Sequence, residues 1–184
     1  TEIKKNKRYF NNCKKVNYLK SKIFLQKIYK HKIFIKNFIF SSSAAVYGKT
    51  KNVRVKEDHA TKPISAYGRS KLDFEKYLID KKQNYLNNIF ICRFFNVVGG
   101  DLLRIKNKNS LFNYLNKSIK KKKIFYVNGK NYNTADGTTV RDFIDINIFS
   151  KFILFLIKKK QSNQKKIFNV GSGFGTSILE ILNE

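Results

Sequence analysis

The chain has 184 residues, and its 33 Lys and 6 Arg stand against 12 Asp and Glu, which gives a formal net charge of +27. A composition of 42% hydrophobic and 15% aromatic residues can build a core, and this excludes collagen-like, disulfide-rich and weakly hydrophobic disordered chains. The charge raises the hypothesis of a basic nucleic-acid-binding protein. However, 102 residues are Lys, Asn, Ile, Phe or Tyr, all of which A/T-rich codons encode. Because compositional drift explains the charge, we expect no specific nucleic-acid partner.

Metal and membrane sites are not expected. Cys13 and Cys92 lack paired ligand spacing, as do His31 and His59, so no metal site follows and a reducing compartment is the simplest interpretation. The longest apolar candidate, residues 146–157, is shorter than the ~18 residues of a membrane span and predicts a buried helix. With no signal sequence recognised, we expect a cytoplasmic location.

The first hundred residues predict a helix, a strand, a helix and a strand. Apolar positions at helical spacing favour a helix over residues 10–29, and residues 38–40 predict a buried strand that stops at a polar loop of three serines. Ser65 is a candidate N-cap for a helix that runs to about Tyr85 and buries Leu72, Tyr77 and Leu78. Residues 89–92 predict a second buried strand, and this order is typical of a parallel α/β sheet.

The second half of the chain alternates helical and strand patterns. Residues 101–109 are polar and predict a loop. We predict a basic helix over 111–122, a strand over 124–127, a polar loop over 128–139, a strand over 140–146, a helix from there to about 160, a strand over 167–170, and a last helix from about Ser177.

The most informative spacing is that of Tyr67 and Lys71, four residues apart on a predicted helix and therefore on one face. An ammonium near a phenol stabilises the phenolate and lowers the pKa of the phenol, which can then act as a base. The spacing alone is weak, because Tyr77 and Lys81 repeat it. Ser43 and Asn96, however, each follow a buried strand, and the carboxyl ends of parallel strands lie on the ligand side of a sheet.

Four segments, taken in order, resemble the UDP-glucose 4-epimerases, a branch of the extended short-chain dehydrogenases/reductases. They are residues 38–48, 63–71, 93–97 and 136–145, and the resemblance extends from about Tyr9 to the last residue. It implies an α/β fold with a partial doubly wound, Rossmann-like parallel sheet and part of a smaller α/β substrate-binding domain. The implied domains are residues 1–100, with the catalytic groups, and 101–184, of which 140–160 pack back on the first.

The resemblance also implies roles for individual residues in an NAD-dependent epimerisation at C4 of a UDP-hexose, through a transient 4-keto sugar. Tyr67 is the catalytic base, Lys71 assists it and binds the nicotinamide ribose, and Ser43 binds the sugar hydroxyl. Asn12 and Phe95 match residues of the NAD pocket, which Ser43, Tyr67 and Lys71 also line.

The resemblance places the nucleotide-sugar contacts mainly in the second half of the chain. Asn96 and Arg141 match groups that hold the diphosphate, and Ser43 and Tyr67 contact the sugar. Tyr126, Val127 and Asn128 align loosely with the segment that meets uracil, and Ser110 stands where the family often has an Asn. A homodimer of the full-length protein, through a helical face that contains the Tyr67 helix, is also implied.

Several departures leave alternatives open. The family's Gly-rich dinucleotide fingerprint is expected upstream of Thr1 and part of the substrate domain beyond Glu184, so we expect a fragment, which could be inactive alone. Residues 171–175 imitate the fingerprint, but their spacing is wrong. A 4,6-dehydratase needs an acid pair where this chain has Ala44 and Ala45. A UDP-glucuronate or pentose 4-epimerase also fits the motifs.

Overall fold

The computed structural model describes residues 7–50, 54–80, 84–100 and 111–184. The helices there are α1 (Lys7–Cys13), a π-helical segment (Lys14–Lys20), α2 (Ser21–Lys30), a 3₁₀ turn (Ala44–Val46), α3 (Ala66–Asp80), α4 (Leu111–Lys120), α5 (Ile146–Ile157) and α6 (Ile178–Asn183). The strands there are β1 (Ile35–Ser43), β2 (Leu86–Phe94), β3 (Asn96–Val98), β4 (Val140–Asp145), β5 (Lys165–Val170) and β6 (Gly175–Ser177).

The chain divides into two compact units, one with residues up to 94 and 152–170, the other with 95–151 and 171–184. In the first unit, β1, β2 and β5 form a parallel sheet with β2 in the middle. The sheet confirms the predicted α/β fold. The division of the chain at residue 100 into two domains stays a prediction.

The core of the first unit lies between its sheet and its helices. Buried side chains from α2, β1, α3 and β2 form one cluster, namely Leu25, Ile28, Phe40, Phe74, Leu78, Leu86, Ile89 and Ile91. Leu72 and Leu78 are buried as predicted, and Tyr77 is partly buried. Because α3 packs against β1, the helix that carries Tyr67 is held beside the strand that ends at Ser43.

The second unit has a small mixed sheet in which β3 pairs with β4 in parallel and β4 pairs with β6 antiparallel. At the end of β6, Ser177 caps α6: its hydroxyl accepts from the Glu180 N–H, and the Glu180 carboxylate accepts from the Ser177 N–H. This reciprocal capping box confirms the helix start that was predicted near Ser177.

Three details of the predicted first unit are corrected. Ser41, Ser42 and Ser43 belong to β1 rather than to a loop, because they continue its parallel pairing with β2, and the Ser42 hydroxyl is satisfied by the buried Glu75 carboxylate. The first helical stretch contains a π-helical segment that periodicity did not predict. In the described residues α3 extends over Ala66–Asp80, and Asn84 and Tyr85 form a turn rather than the predicted last residues of this helix.

Two details of the later segments are also corrected. Residues 124–127 are not a strand: they pair with no strand of the described ranges, and Ile124 and Tyr126 are 74% and 67% exposed. The helix α5 has the bounds of the apolar run, but it is not a buried helix, because Ile148 and Leu154 are more than half exposed while Leu156 is fully buried. No helix of the described ranges has the length and apolarity needed to span a bilayer.

Candidate active site

The start of α3 is fixed against the end of β1 by a cap and a glycine. The Ser65 hydroxyl accepts from the Gly68 N–H at 3.0 Å, as the predicted N-cap requires. A Cβ on Gly68 would lie 2.4 Å from the Ala45 carbonyl oxygen, which is closer than any side chain tolerates. Glycine therefore lets the helix backbone approach the turn that follows Ser43.

Tyr67 and Lys71 lie on one face of α3, as their spacing predicts. The Lys71 Nζ is 5.6 Å from the centre of the Tyr67 ring and 5.2 Å from the centre of the Phe40 ring. It donates a hydrogen bond of 2.8 Å to the Ser41 carbonyl. Burial lowers the pKa of Lys71 below its ordinary value, while Tyr67 remains 37% exposed. An ammonium beside an accessible phenol is an arrangement that can stabilise a phenolate.

Ser43 is the last residue of β1 and is bracketed by the two contacts just described. Lys71 reaches the carbonyl of Ser41, two residues before it, and Gly68 abuts Ala45, two residues after it. The Ser43 hydroxyl accepts from the Ala45 N–H at 3.2 Å, and a hydroxyl that accepts can still donate its proton. The predicted catalytic residues thus belong to adjacent elements of one unit.

Asn12 lies on α1, at a cavity of about 480 Å³ in the first unit. The cavity is lined by Arg8, Tyr9, Asn11, Asn12 and Lys15. Two cationic side chains and two amides make this lining suitable for an anionic, hydrogen-bonding ligand.

Tyr9, which the sequence did not single out, lines this cavity on α1, and α1 packs against α3. A hydrogen bond with Cys13 raises the pKa of Tyr9, and burial and the charges of Cys13 and Tyr67 raise it further. Both Cys13 and Cys92 are buried free thiols, and burial raises the pKa of Cys92 to about 12, so the thiolate of Cys92 is strongly disfavoured.

The other predicted site residues belong to the second unit. Phe95 is partly buried between β2 and β3, and Asn96 is the exposed first residue of β3. The Asn96 side-chain amide donates to the Asp142 carbonyl at 2.8 Å, which ties β3 to β4. Arg141 lies on β4, paired with Thr176, and its side chain is exposed.

The segment predicted to meet uracil is an extended stretch without strand pairing. Tyr126 is 67% exposed, Val127 is partly buried and Asn128 is exposed. The neighbouring Phe125 packs on Tyr114 of α4 with ring centres 5.2 Å apart, and this contact anchors the segment to the unit. Ser110 falls outside the described residues.

The glycine-rich loop after β5 is tied to β4 by a carboxylate. The Asp142 side chain accepts from the N–H groups of Ser172 at 2.7 Å and Gly173 at 2.9 Å, and from the Ser172 hydroxyl at 2.9 Å. These backbone donors already bind a carboxylate of the same unit. Their arrangement supports the rejection of this loop as a dinucleotide fingerprint.

A buried ion pair next to Lys71 was missed by the sequence argument. Arg93 of β2 donates to Glu75 of α3 through Nη2 at 2.8 Å and through Nε at 3.2 Å to both carboxylate oxygens, and the two side chains are 5% and 1% exposed. Burial acts to lower the pKa of Arg93, but hydrogen bonds to Glu75 and Tyr47 outweigh it and raise the pKa. The signal was present, because Glu75 follows Lys71 by one helical turn.

The ion pair continues into a polar network through Tyr47. The third side-chain nitrogen of Arg93, Nη1, donates to the Tyr47 hydroxyl at 2.8 Å and to the Glu57 carbonyl at 3.0 Å. The Tyr47 hydroxyl in turn donates to Asn169 Oδ1 of β5 at 2.6 Å. The network joins all three strands of the parallel sheet to α3 and to the turn after Ser43.

Residues 3–171 match the NAD dependent epimerase/dehydratase family. This chain belongs to that family. The match covers the whole of the first unit's site elements and most of the second unit, and it confirms the resemblance on which the motifs were interpreted.

Relatives and solved structures narrow the similarity to UDP-sugar 4-epimerases. A UDP-glucose 4-epimerase of Dictyostelium discoideum is 32% identical over 185 residues, which cover 95% of this chain and 52% of that protein. The crystal structure of UDP-glucose 4-epimerase from Bifidobacterium longum, in complex with NAD+ and UDP, has a TM-score of 0.77 at 30% identity, over 98% of this chain and 55% of that one.

The same similarity extends to a different sugar. UDP-glucuronic acid 4-epimerase from Bacillus cereus, solved with UDP-glucuronic acid and NAD, has a TM-score of 0.74 at 28% identity, over 91% of this chain and 49% of that one. The chain spans about half the length of the curated epimerases it matches. The UDP-glucose and UDP-glucuronic acid 4-epimerases are thus similar to this chain to about the same degree.

Proposed function

We propose that the protein is an isomerase that inverts C4 of a UDP-hexose, with UDP-glucose and UDP-galactose as the interconverted pair. The observation that carries the proposal is the placement of Lys71 Nζ, 5.6 Å from the Tyr67 ring and bonded to the strand that ends at Ser43. A base, its supporting cation and a hydroxyl donor are the groups that a transient 4-keto sugar requires.

Residues of the first unit are suited to hold NAD. The cavity at Asn12 has Arg8 and Lys15 in its lining, and these cations complement the negative diphosphate of a dinucleotide. With Ser43, Tyr67, Lys71 and Phe95, Asn12 completes the set of groups proposed to bind the cofactor. NAD supplies the hydride acceptor and donor when bound, and the protein supplies position and charge.

In the proposed mechanism, Tyr67 removes the proton from the sugar 4-hydroxyl and later returns it to the 4-keto oxygen. The positive charge of Lys71 stabilises the phenolate at the moment when Tyr67 acts as a base. The Ser43 hydroxyl donates to the same sugar oxygen and orients it toward Tyr67. The exposed face of Tyr67 leaves room for the sugar.

The second unit supplies the proposed nucleotide grip. Arg141 presents an exposed guanidinium on β4, and a planar fork suits a diphosphate. Asn96 is the second proposed diphosphate contact, and residues 126–128 are proposed to face uracil. Asn96 of β3 donates a hydrogen bond to the Asp142 carbonyl of β4. The two residues proposed to bind the diphosphate, Asn96 and Arg141, therefore lie on paired strands.

We also propose that the full-length protein is a homodimer. Apolar side chains on the π-helical segment and α2 are exposed, among them Val16 at 46%, Ile23 at 50% and Phe24 at 56%. The π-helical segment packs on α3 through a 3.0 Å hydrogen bond from Asn17 to Ser70. A second copy would cover these apolar groups, and sedimentation analysis of the complete protein tests this.

The activity is tested with the complete protein, NAD and UDP-galactose, with chromatographic detection of UDP-glucose. We expect conversion, and we expect Tyr67→Phe to lower kcat by about 10²-fold to 10⁴-fold, since the proton-transfer group is removed. Tyr77→Phe on the same helix is the matched control, because Tyr77 packs on Phe74 in the core cluster and is given no chemical role.

Parallel reactions with UDP-glucuronate and UDP-pentoses decide the sugar. If the protein converts one of these sugars and not UDP-galactose, the proposed epimerisation at C4 would be retained and the proposed substrate would be corrected. Absence of turnover on every sugar, or equal rates for Tyr67→Phe and the parent protein, would contradict the proposed function. A 4,6-dehydratase activity is not favoured, because Ala44 and Ala45, which follow Ser43, supply no acidic side chain.

A further inference from the structure

The Glu75–Arg93 ion pair lies directly beside the groups proposed for catalysis, and the mechanism does not use it. We infer that it is a positioning device, which fixes α3 along β1 and thereby holds the Lys71 ammonium at its place next to Tyr67 and Ser43. The inference rests on the proposed function for its consequence on turnover. Its structural content depends only on contacts within the first unit.

The first step is a pair of adjacent contacts between α3 and β1. Lys71 Nζ donates to the Ser41 carbonyl at 2.8 Å, and the Ser42 hydroxyl donates to the Glu75 carboxylate. Lys71 and Glu75 are one helical turn apart, while Ser41 and Ser42 are consecutive in the strand. A shift of the helix that breaks one contact therefore strains the other.

The second step is the clamp that Arg93 places on Glu75. Arg93 is the register partner of Ser42 in the parallel ladder, so both donors approach the carboxylate from neighbouring strands. The Arg93 fork makes three contacts of 2.8–3.2 Å with the two carboxylate oxygens. The carboxylate is thus held from two strands at once, and its direction is defined by planar bidentate geometry.

The third step is that the same guanidinium also holds the turn after Ser43. Arg93 Nη1 bonds the Tyr47 hydroxyl, and its Cζ lies 4.8 Å from the centre of the Tyr47 ring. Tyr47 is 3% exposed and follows the 3₁₀ turn that begins after Ser43. One side chain therefore positions both the helix of Lys71 and the turn that flanks Ser43.

Stability alone does not account for this choice of residues. A buried ion pair is often matched or exceeded in stability by apolar residues of similar volume, because two charges must be desolvated. What an apolar pair cannot supply is direction. The fork, the short contact to Ser42 and the bond to Tyr47 define the relative placement of three elements to within hydrogen-bond tolerance.

The decisive variant is the double replacement Glu75→Leu with Arg93→Met in the complete protein, which removes both charges and keeps an apolar, well-filled core. We expect it to fold with a Tm near that of the parent protein. We expect kcat to fall by about tenfold to 100-fold, because a displacement of about 1 Å can cost that much. KM for the UDP-sugar should change by less than about twofold, because ground-state binding is unaffected.

A second variant and a control keep the test decisive. Arg93→Lys retains the positive charge but loses the planar fork, and it should lower kcat as the double variant does. It replaces the double variant in the test if that variant fails to fold. Asn88→Ala is the matched control: Asn88 is a fully buried polar residue near the start of the same strand, bonded to the Lys160 carbonyl at 2.7 Å. It should lower the Tm and leave kcat of the folded protein unchanged.

A crystal structure of the double variant gives a readout that is independent of activity. We expect the separation of Lys71 Nζ from the Ser41 carbonyl to exceed its 2.8 Å in the parent protein by more than hydrogen-bond tolerance, with the sheet unchanged. Retention of that contact, together with the parent kcat, would overturn the inference and leave the pair a purely structural feature. Loss of the contact in a protein inactive on all UDP-sugars would support the positioning and reject the proposed function.

Discussion

The two units hold their predicted site residues in different ways. In the first, Ser43 and the contacts of Lys71 belong to strands of nine residues paired in a parallel ladder, with a buried ion pair behind them. In the second, β3 has three residues, and Tyr126 lies on an unpaired stretch at 67% exposure. The groups proposed for proton transfer therefore lie on long, packed elements, whereas those proposed for the nucleotide lie on shorter or unpaired segments.

The two units also differ in how their charged side chains are satisfied. Glu75 and Arg93 are shielded from water, so each needs the other to be satisfied. In the second unit, Asp136 and Asp142 are satisfied by hydroxyl and backbone N–H donors, in partly exposed positions. Removing one partner should therefore be far more costly in the first unit than in the second.

The largest expected effect is the loss of one partner of the buried pair. Arg93→Met leaves the Glu75 carboxylate buried without its counter-ion, and we expect a loss of about 3–5 kcal/mol in the free energy of unfolding. Urea denaturation followed by circular dichroism measures it. The added change Glu75→Leu should restore most of the loss, and a single variant as stable as the parent protein would contradict the difference drawn between the units.

A smaller effect is expected for the exposed cation of the second unit. Arg141→Ala should weaken UDP binding by about tenfold to 100-fold, since a hydrogen-bonded contact to a charged group is lost. The free energy of unfolding should change by less than about 0.5 kcal/mol, because the side chain is exposed. Calorimetric titration with UDP measures the affinity, and Arg141→Lys tests whether charge alone is sufficient. An unchanged affinity in Arg141→Ala would remove Arg141 from the site.

The smallest effect concerns acid stability of the second unit. Hydrogen bonds from the Ser177 hydroxyl, and then from the Thr138 N–H and hydroxyl, lower the pKa of Asp136 below its ordinary 3.8. A carboxyl with a lowered pKa stabilises the folded state fully above pH 3.8, and the contribution is lost as the pH falls through the lowered pKa. Asp136→Asn should flatten this acid limb in urea midpoints measured against pH.

Ser177→Ala provides the companion measurement for Asp136. It removes the largest cause of the lowered pKa, so part of the acid limb should move back toward pH 3.8. Because Ser177 also caps α6, the variant should lose some stability at neutral pH as well, whereas Asp136→Asn retains the cap. An acid limb that is the same in both variants and in the parent protein would show that Asp136 does not control it.

The predictable part of the molecule was that governed by local pattern. The spacing of Tyr67 and Lys71, the cap at Ser65 and the apolar run before Ser43 each act over a few residues, and the structure places all of them as expected. The site roles of these residues remain proposals. The family resemblance supplied those roles, since spacing alone did not separate Tyr67–Lys71 from Tyr77–Lys81.

What escaped prediction depends on contacts between distant residues. Ser42 lies in a strand because it pairs with Arg93 of β2, and its hydroxyl donates a hydrogen bond to Glu75, 33 residues later; no local rule contains either partner. Residues 124–127 have a strand-like composition but pair with no strand of the described ranges. The apolar sequence of α5 likewise does not determine its exposure, which depends on the distant residues that pack against each of its faces.

The π-helical segment over Lys14–Lys20 has a consequence for how this chain tolerates insertions and deletions. A π turn holds more residues than an α turn, and here it separates α1, with Asn12, from α2, with Leu25 in the core. Because the π segment absorbs an extra residue, its removal to give a regular α-helix would nearly keep the rotation of α1 relative to α2, whereas a further residue added to the helix would rotate α1 by about 100°. An added residue would therefore turn α1, with Asn12 and the cavity around it, away from its present packing on α3, whereas a deletion within the segment would not.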